Sequence, residues 1–369
     1  MPTLVLFISI TVLYLVFIYS FEVFKDYSIS KITSLLLGGF VFYLLLYNVT
    51  YNSDWNMYDA IFMGHTQSND FLFNFISSTF SDKGYDYSSV YKLHIFLIGV
   101  GILYFVSRNS YSNVFGIITT YLMFQIVPVS NQIRYYVAFS FFLIAVYNLI
   151  VSRNRGLFIV FAFLSVLSHS AIFLMYPFLY FYYYTYNENY IRKLIVYSFV
   201  LAGFFYFISF VGFIFSFHFG SYFEEGFLSS ISGGLLNNFI WLFWFFFIYK
   251  INKRLMETHS SELESDVKYQ FFYKLSLYSI LFFPVSILLQ VLAHRYIAAS
   301  LIVWLTFYYY ALNYEESLRN RLLSLSLFLL LISATFFYMY FLPVYLLGIS
   351  TTEAVFELFL SNTFFFNSL

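Results

Sequence analysis

Two arginines stand where long apolar runs of this chain end. Arg134 lies in NQIRYYVAFSFF and Arg295 in LLQVLAHRYIAAS, flanked by His294 and Tyr296. A guanidinium offers a fork of N–H donors that can hold a phosphate or carboxylate through two parallel bonds. An arginine at membrane depth is costly unless it faces a cavity or a partner; the plain alternatives are a side chain snorkelling to headgroups and, for Arg295, a polar turn that ends a helix. His169, in VLSHSAIFL, adds a group that titrates near neutral pH and would serve as a general base or as a donor to a phosphate oxygen. Its plain reading is a packing residue satisfied by Ser168 or Ser170. Asp54, in YNSDWNMYDAIF, would share a helix face with Tyr58. Those two, with Trp55 as a stacking ring, would bind sugar hydroxyls, against a plain reading as a solvated loop. Glu224 and Glu225, a glycine-flanked pair, read as loop.

The elements that must position these groups are membrane helices. Of the 369 residues, 61% are hydrophobic and 10% charged, whereas soluble domains carry about 25% charge. The chain therefore reads as an all-α polytopic integral membrane protein and a single transmembrane domain over 1–369. A spanning helix needs about 20 mostly apolar residues. Runs of that kind fall at 3–20, 32–48, 91–107, 111–128, 133–151, 157–168, 170–185, 194–213, 235–249, 271–289, 296–312 and 322–343, about 12 spans. The first run lacks a basic start and a small-residue cleavage site, so it reads as a span. The 54 Phe, 38 Tyr and 4 Trp exceed what two interfacial belts need and read as packing and lipid-facing rings. Trp55, Tyr58, Tyr135 and Tyr296 are the ones placed to line a sugar-binding cavity.

Charge sets the orientation. If each run crosses once, fourteen of the eighteen basic residues fall on one side and only Lys83, Lys92, Arg134 and Arg295 on the other. Positive charge marks the cytoplasmic side, so Arg134 and Arg295 are outer residues that oppose the trend. Basic flanks at Arg155 and Arg192 require two crossings between them, which places His169 at an outer turn. Two arginines on different helices at one depth suggest one anionic ligand. The larger outer loops are 49–90, with an amphipathic aromatic piece around Phe71 to Phe80 expected at the interface, and 214–234. Residues 250–270 read as a charged, helical cytoplasmic connector. The residues from Val344 onward carry no recognisable chemistry.

The same counts exclude other classes. With a formal net charge of +0 and no basic face, nucleic acid has no electrostatic footprint. Zero cysteines remove disulfides and thiolate chemistry. No nucleotide or metalloprotease motif occurs, and no local acidic spacing suggests a metal, so no metal and no cofactor is expected.

The block NQIRYYVA, a span, a basic turn at Arg153 to Arg155, another apolar run and then SHSA at 168–171 resemble the EpsG family of polysaccharide-biosynthesis membrane proteins, which overlaps with Wzy-type polymerases of O-antigens and capsules. Gln132, Arg134 and Ala138 match its Q-x-R-x-x-x-A segment, His169 to Ala171 its H-S-A-like segment, and Asp54 with Tyr58 its Asp with a downstream Tyr after the second span. The resemblance runs through about residues 30–185. It departs from the family before Asp54, where Tyr51, Asn52 and Ser53 replace the usual Arg and Gly. The resemblance implies a GT-C-like membrane glycosyltransferase that joins undecaprenyl-pyrophosphate-linked oligosaccharide repeats, as donor and acceptor, into a long chain. It would act at the outer, periplasmic face of the bacterial inner membrane, surrounded by membrane lipid and partnered by a polysaccharide chain-length regulator. Arg134 and Arg295 would then bind the pyrophosphate, and His169, or alternatively Asp54, would take the acceptor proton, with Gln132, Tyr135, Tyr58, Trp55, His294 and Tyr296 around the substrate. Competing readings are a lipid-linked oligosaccharide flippase or transporter, an O-antigen ligase and a sugar O-acyltransferase.

Overall fold

A computed structural model describes residues 31–66, 68–108, 113–185, 187–211, 230–289, 292–342 and 351–364, and among these residues there are helices and no strand. The charge-poor runs fold as α-helices because, without water, backbone polar groups must be satisfied within the segment. In chain order these are α1 (Lys31–Leu46), α2 (Trp55–Phe62), α3 (Phe71–Asp82), α4 (Tyr87–Ser107), α5 (Val114–Asn131), α6 (Ile133–Ile150), α7 (Arg155–Ser168), α8 (Phe178–Tyr184), α9 (Asn187–Val211), α10 (Ile231–Ser265), α11 (Val267–Tyr278), α12 (Phe283–Leu288), α13 (Leu301–Ala311), α14 (Leu318–Tyr340) and α15 (Thr351–Leu360).

Eight stretches of the described residues are long and apolar enough to cross a membrane: 87–107, 114–131, 133–150, 189–207, 231–265, 267–287, 295–314 and 318–340. Each coincides with one of the twelve expected runs. Two further runs, 32–48 and 157–168, form the shorter apolar helices α1 and α7. Run 3–20 lies outside the described residues, as does most of the 214–234 loop, with Glu224 and Glu225. Run 170–185 departs from expectation. It is a 3-10 turn over Ser170–Met175 followed by the seven-residue α8, which Pro177 introduces, because a proline without an N–H and with a fixed φ interrupts a continuous helical ladder.

Helix α6 is the centre of the N-terminal half and is buried along nearly its whole length. It packs on α4 and α7, while α5 packs on α1. α13, also buried almost throughout, is the counterpart in the C-terminal half and joins the two halves through α5. The outward faces carry Ile159 and Phe163 of α7, Phe199 and Phe204 of α9, and Leu330 and Phe337 of α14, all exposed as expected for lipid contacts. Most of the largest fully buried side chains are aromatic, among them Trp244, Trp304, Tyr121 and Tyr308. Much of the aromatic excess is therefore internal packing, with Trp244 stacked on Trp304 at 5.8 Å and Tyr308 on Phe328 at 4.0 Å.

The two ends of the helices carry different polar contacts. On the side assigned to the cytoplasm, α10 carries the 250–270 connector as far as Ser265, with a kink at His259 (φ −131°), and breaks at the extended Asp266. There Asp266 caps α11 through the amides of Lys268 and Tyr269 at 2.8 and 3.2 Å, and Arg254 pairs with Glu315 and Ser324. The Lys268 ammonium donates to the Arg108 carbonyl at 3.5 Å. On the opposite side, Asn362 donates to the Leu44 and Leu45 carbonyls at 2.9 and 3.1 Å, fastening the segment after α15 to the end of α1.

Close approach of α4 to α6 depends on Gly101, where an added Cβ would lie 2.7 Å from the Ser140 Cβ. Small residues at helix contacts allow the backbones to approach. Gly101→Val should therefore push α6 outward and destabilise the protein by about 1–3 kcal/mol, the usual cost of overpacking. A lowered unfolding midpoint in detergent checks this, and an unchanged midpoint would contradict it.

Candidate functional site

The site is built on a corner. α5 ends at Asn131 and α6 begins at Ile133, so Gln132 alone (φ −100°, ψ 48°) separates two membrane helices. Arg134 occupies the first turn of α6, where the helix dipole adds positive potential. Asn52 and Ser53, just before Asp54, fasten the loop to this corner. The Asn52 amide donates to the Ser130 carbonyl at 3.0 Å, and the Asn131 amide donates to the Ser53 hydroxyl at 2.6 Å.

The stretch between α1 and α4 supplies two acids. Asp54 and Asp70 stand at the N-caps of α2 and α3, where an aspartate ordinarily accepts from the helix's own amides. Neither carboxylate makes such a bond. The Asp70 carboxylate is fully buried and turned inward: Arg134 Nη1 donates to its Oδ2 at 2.7 Å, and His169 Nδ1 lies 3.0 and 3.1 Å from its two oxygens. Arg134 Nη1 also donates to the Ser68 hydroxyl, which in turn accepts the Asp70 amide at 3.1 Å. The guanidinium lies 5.0 Å above the Tyr58 ring and 5.5 Å above Phe73. An ionised carboxylate only accepts hydrogen bonds, so Nδ1 of His169 carries the proton.

His169 is 3% exposed and sits at the break between α7 and the 3-10 turn, its backbone extended (φ −162°). Burial pushes its pKa down, against the upward pull of Asp70 beside it. The imidazole is thus neutral at physiological pH, with Nε2 pointing away from Asp70. Arg295 lies in a single π-helical turn, Ala293–Ile297, a geometry often found at functional sites. Two tyrosines brace that turn against the others. Tyr135 donates to the Arg295 carbonyl and meets the His169 ring edge-on at 5.8 Å, with the Arg295 guanidinium 6.0 Å from its own ring. Tyr296 donates to the Ala171 carbonyl at 2.6 Å and stacks on Phe282 at 4.4 Å.

The structure thus gathers Asp54, Tyr58, Arg134, Tyr135, His169, Arg295 and Tyr296 into one region. Asp54 senses both arginines, but burial is the larger influence and lifts its carboxyl above the usual range. Gln132 presents a buried side-chain oxygen with no hydrogen-bond partner among the described residues. Trp55 packs against Tyr87 at 4.7 Å and Tyr91 at 5.3 Å, so its ring is engaged with its neighbours. Tyr135 and Tyr296 direct their hydroxyls to backbone carbonyls and act first as braces. The side chain of His294 lies outside what the structure describes. Among the described residues no three His, Asp or Glu side chains gather as a metal site. Sequence reasoning missed Asp70 and Ser68, although the amphipathic stretch that Asp70 opens was recognised and forms α3. Its exposed face carries Phe71 and Phe75. The helix buries Phe73 and Ile76 and packs on α4 and α7.

Removing one partner of a buried ion pair strands the other charge, at about 3–5 kcal/mol. Arg134→Ala should therefore cost about 3 kcal/mol, and adding Asp70→Asn should restore part of it; denaturant unfolding of the two variants measures the difference, and further loss in the double variant would refute the pairing. Because the Asp54 pKa is raised in the folded state, the folded form holds this proton more tightly than the unfolded chain does. Stability contributed by the neutral acid is full below about pH 4, the unfolded value, and is lost as pH rises through the folded value. Asp54→Asn should flatten that decline in thermal midpoint; a slope identical to the parent's would show that Asp54 is not its source.

The family model of the EpsG family, a family associated with Wzy-type polymerases, matches residues 31–348. The match extends well beyond the motif-bearing region and takes in Arg295. No curated protein and no solved structure matches the chain. Over most of its length, and with its motif residues gathered at one end of the helices, the chain belongs to the EpsG family.

Proposed function

We propose that this protein is a polysaccharide polymerase that transfers a growing glycan from a lipid pyrophosphate to the terminal sugar of a second lipid-linked repeat. It would work at the outer face of the bacterial inner membrane, with undecaprenyl pyrophosphate as the carrier and a GT-C-like arrangement of its helices. The observation that carries the reading is the meeting of Arg134 and His169, from different helices, on one buried carboxylate, beside the turn that holds Arg295.

In the transfer, the acceptor hydroxyl oxygen bonds to the anomeric carbon of the donor glycan while the bond from that carbon to the pyrophosphate oxygen breaks. The hydroxyl proton passes to His169 Nε2, and the bonding electron pair leaves with the lipid pyrophosphate, which gains one negative charge. A neutral imidazole is the form that accepts this proton. The arginines set a positive field where the leaving charge develops, in a region sparing of water, where such a field is strongest. Asp54, its carboxyl lifted by burial, is the second candidate for the base. The residues of α2 and the corner, Tyr58 and Gln132, would bind sugar hydroxyls.

Deleting the gene in a cell that makes a long surface glycan, and running the extracted glycan on a gel, separates the possible roles. Loss of a polymerase leaves a single repeat on the core. Loss of a flippase or ligase would leave no surface repeat, and loss of an acyltransferase would leave the ladder intact. In the complemented strain, Arg134→Ala should abolish long chains with the protein still in the membrane. Arg295→Ala should reduce turnover about 10²–10³-fold, the effect of removing one group that stabilises developing negative charge. Normal chain length in either variant would overturn that arginine's assignment.

A further inference from the structure

We propose that Asp70 is a positioning residue of the transfer reaction, and that Arg134 acts on the chemistry chiefly through it. This assignment rests on the polymerase reading and deepens it. The Asp70 side chain is fully buried and makes two sets of contacts: with Arg134 at 2.7 Å on one oxygen, and with His169 Nδ1 at 3.0 and 3.1 Å across both.

Three features of this arrangement point to orientation of the imidazole. First, Asp70 declines the work its position offers, since an aspartate at a helix N-cap ordinarily satisfies the helix amides and this one does not. Second, holding the Nδ1 proton fixes the tautomer, so that the lone pair lies on Nε2; a carboxylate on one nitrogen of a histidine sets which nitrogen does the chemistry. Third, Arg134 Nη1 is directed at Asp70 and Ser68 together, which sets a permanent cation against the carboxyl and holds it in place. As the acceptor proton arrives on Nε2, the imidazolium that forms is stabilised by the adjacent carboxylate, which itself stays ionised. The groups facing His169 are Asp70 from the head of α3, Arg134 and Tyr135 from α6, and Arg295 from the π turn. Asp70 raises the histidine's proton affinity and both arginines lower it.

The test uses the full-length protein in lipid nanodiscs and, as probe, the lipid-pyrophosphate-linked repeat unit extracted from a strain deleted for this gene. Asp70→Asn should lower kcat by about a hundredfold or more, as mispositioning a histidine base does, with KM little changed and the acidic limb of the kcat profile moved to lower pH. Asp70→Glu should recover part of kcat and the parent pH limb. Arg134→Gln should move the acidic limb to higher pH with KM little changed, and should add little further loss in the Asp70→Asn background. Parent-like kcat in Asp70→Asn would overturn the proposal, as would losses that multiply in the double variant, or an Arg134→Gln effect confined to KM. If Asp70→Asn fails to fold, the pH limb and the KM of Arg134→Gln decide alone. A ladder that survives deletion of the gene removes the polymerase reading itself, an outcome distinct from all of these.

Discussion

One buried carboxylate organises the end of this protein where α5 and α6 meet. A charge taken out of water is tolerated only with partners of excellent geometry. Asp70 obtains them from two helices that are not neighbours in the loop that carries it: Arg134 at the start of α6 and His169 at the end of α7. Satisfying Asp70 therefore fixes three things at once: the entry of α3 into the helical bundle, the direction of the Arg134 guanidinium and the tautomer of His169. The α3 helix follows, burying Phe73 against the guanidinium, and Tyr58 from α2 packs beside Phe73 on the same cation.

The frame around this carboxylate is stiff for local reasons. α5 and α6 meet at a single residue, so Arg134 inherits the geometry of a corner and not of a flexible loop. α6 is held close to α4 by a glycine that leaves no room for a side chain, and through backbone carbonyls the Tyr135 hydroxyl ties α6 to the π turn and the Tyr296 hydroxyl ties the π turn to the His169 turn. Interhelical hydrogen bonds of this kind in membranes are worth only about 0.6–2 kcal/mol each. Their value here lies in restraining where Arg295 and His169 can be. The opposite end, with Asp266 capping α11 and Arg254 against Glu315, carries the polar contacts of a structural connector.

Much of this was legible in the residues alone, because charge is scarce in this chain and each charge is informative. Four outer cations in an apolar sequence reduced the search to a short set, and Arg134, His169 and Arg295 do converge. Asp70 was not legible. An aspartate heading an amphipathic stretch reads as an ordinary cap, and the sequence does not reveal that its carboxylate has turned from the helix amides to a histidine 99 positions away. Run 170–185 reads as a crossing because the flanks at Arg155 and Arg192 are both basic, while the break that sets His169 comes from the extended residue itself and from Pro177 downstream. Tyr135 and Tyr296 read from the sequence as rings around the substrate; that their hydroxyls also brace backbone carbonyls is a tertiary feature no spacing encodes. Trp55 and the other aromatic residues follow the same lesson, since composition counts rings but does not say which are internal.

The central claim is that Asp70 fixes the imidazole of His169 with its proton on Nδ1. Nitrogen NMR of the protein labelled in its histidines, with His169 assigned by its loss in a His169→Gln variant, reads the tautomer directly. A neutral ring protonated on Nδ1 at neutral pH, reverting toward the Nε2-protonated form in Asp70→Asn, is the predicted result. A ring protonated on Nε2 in the parent protein, or one indifferent to Asp70, would contradict the account.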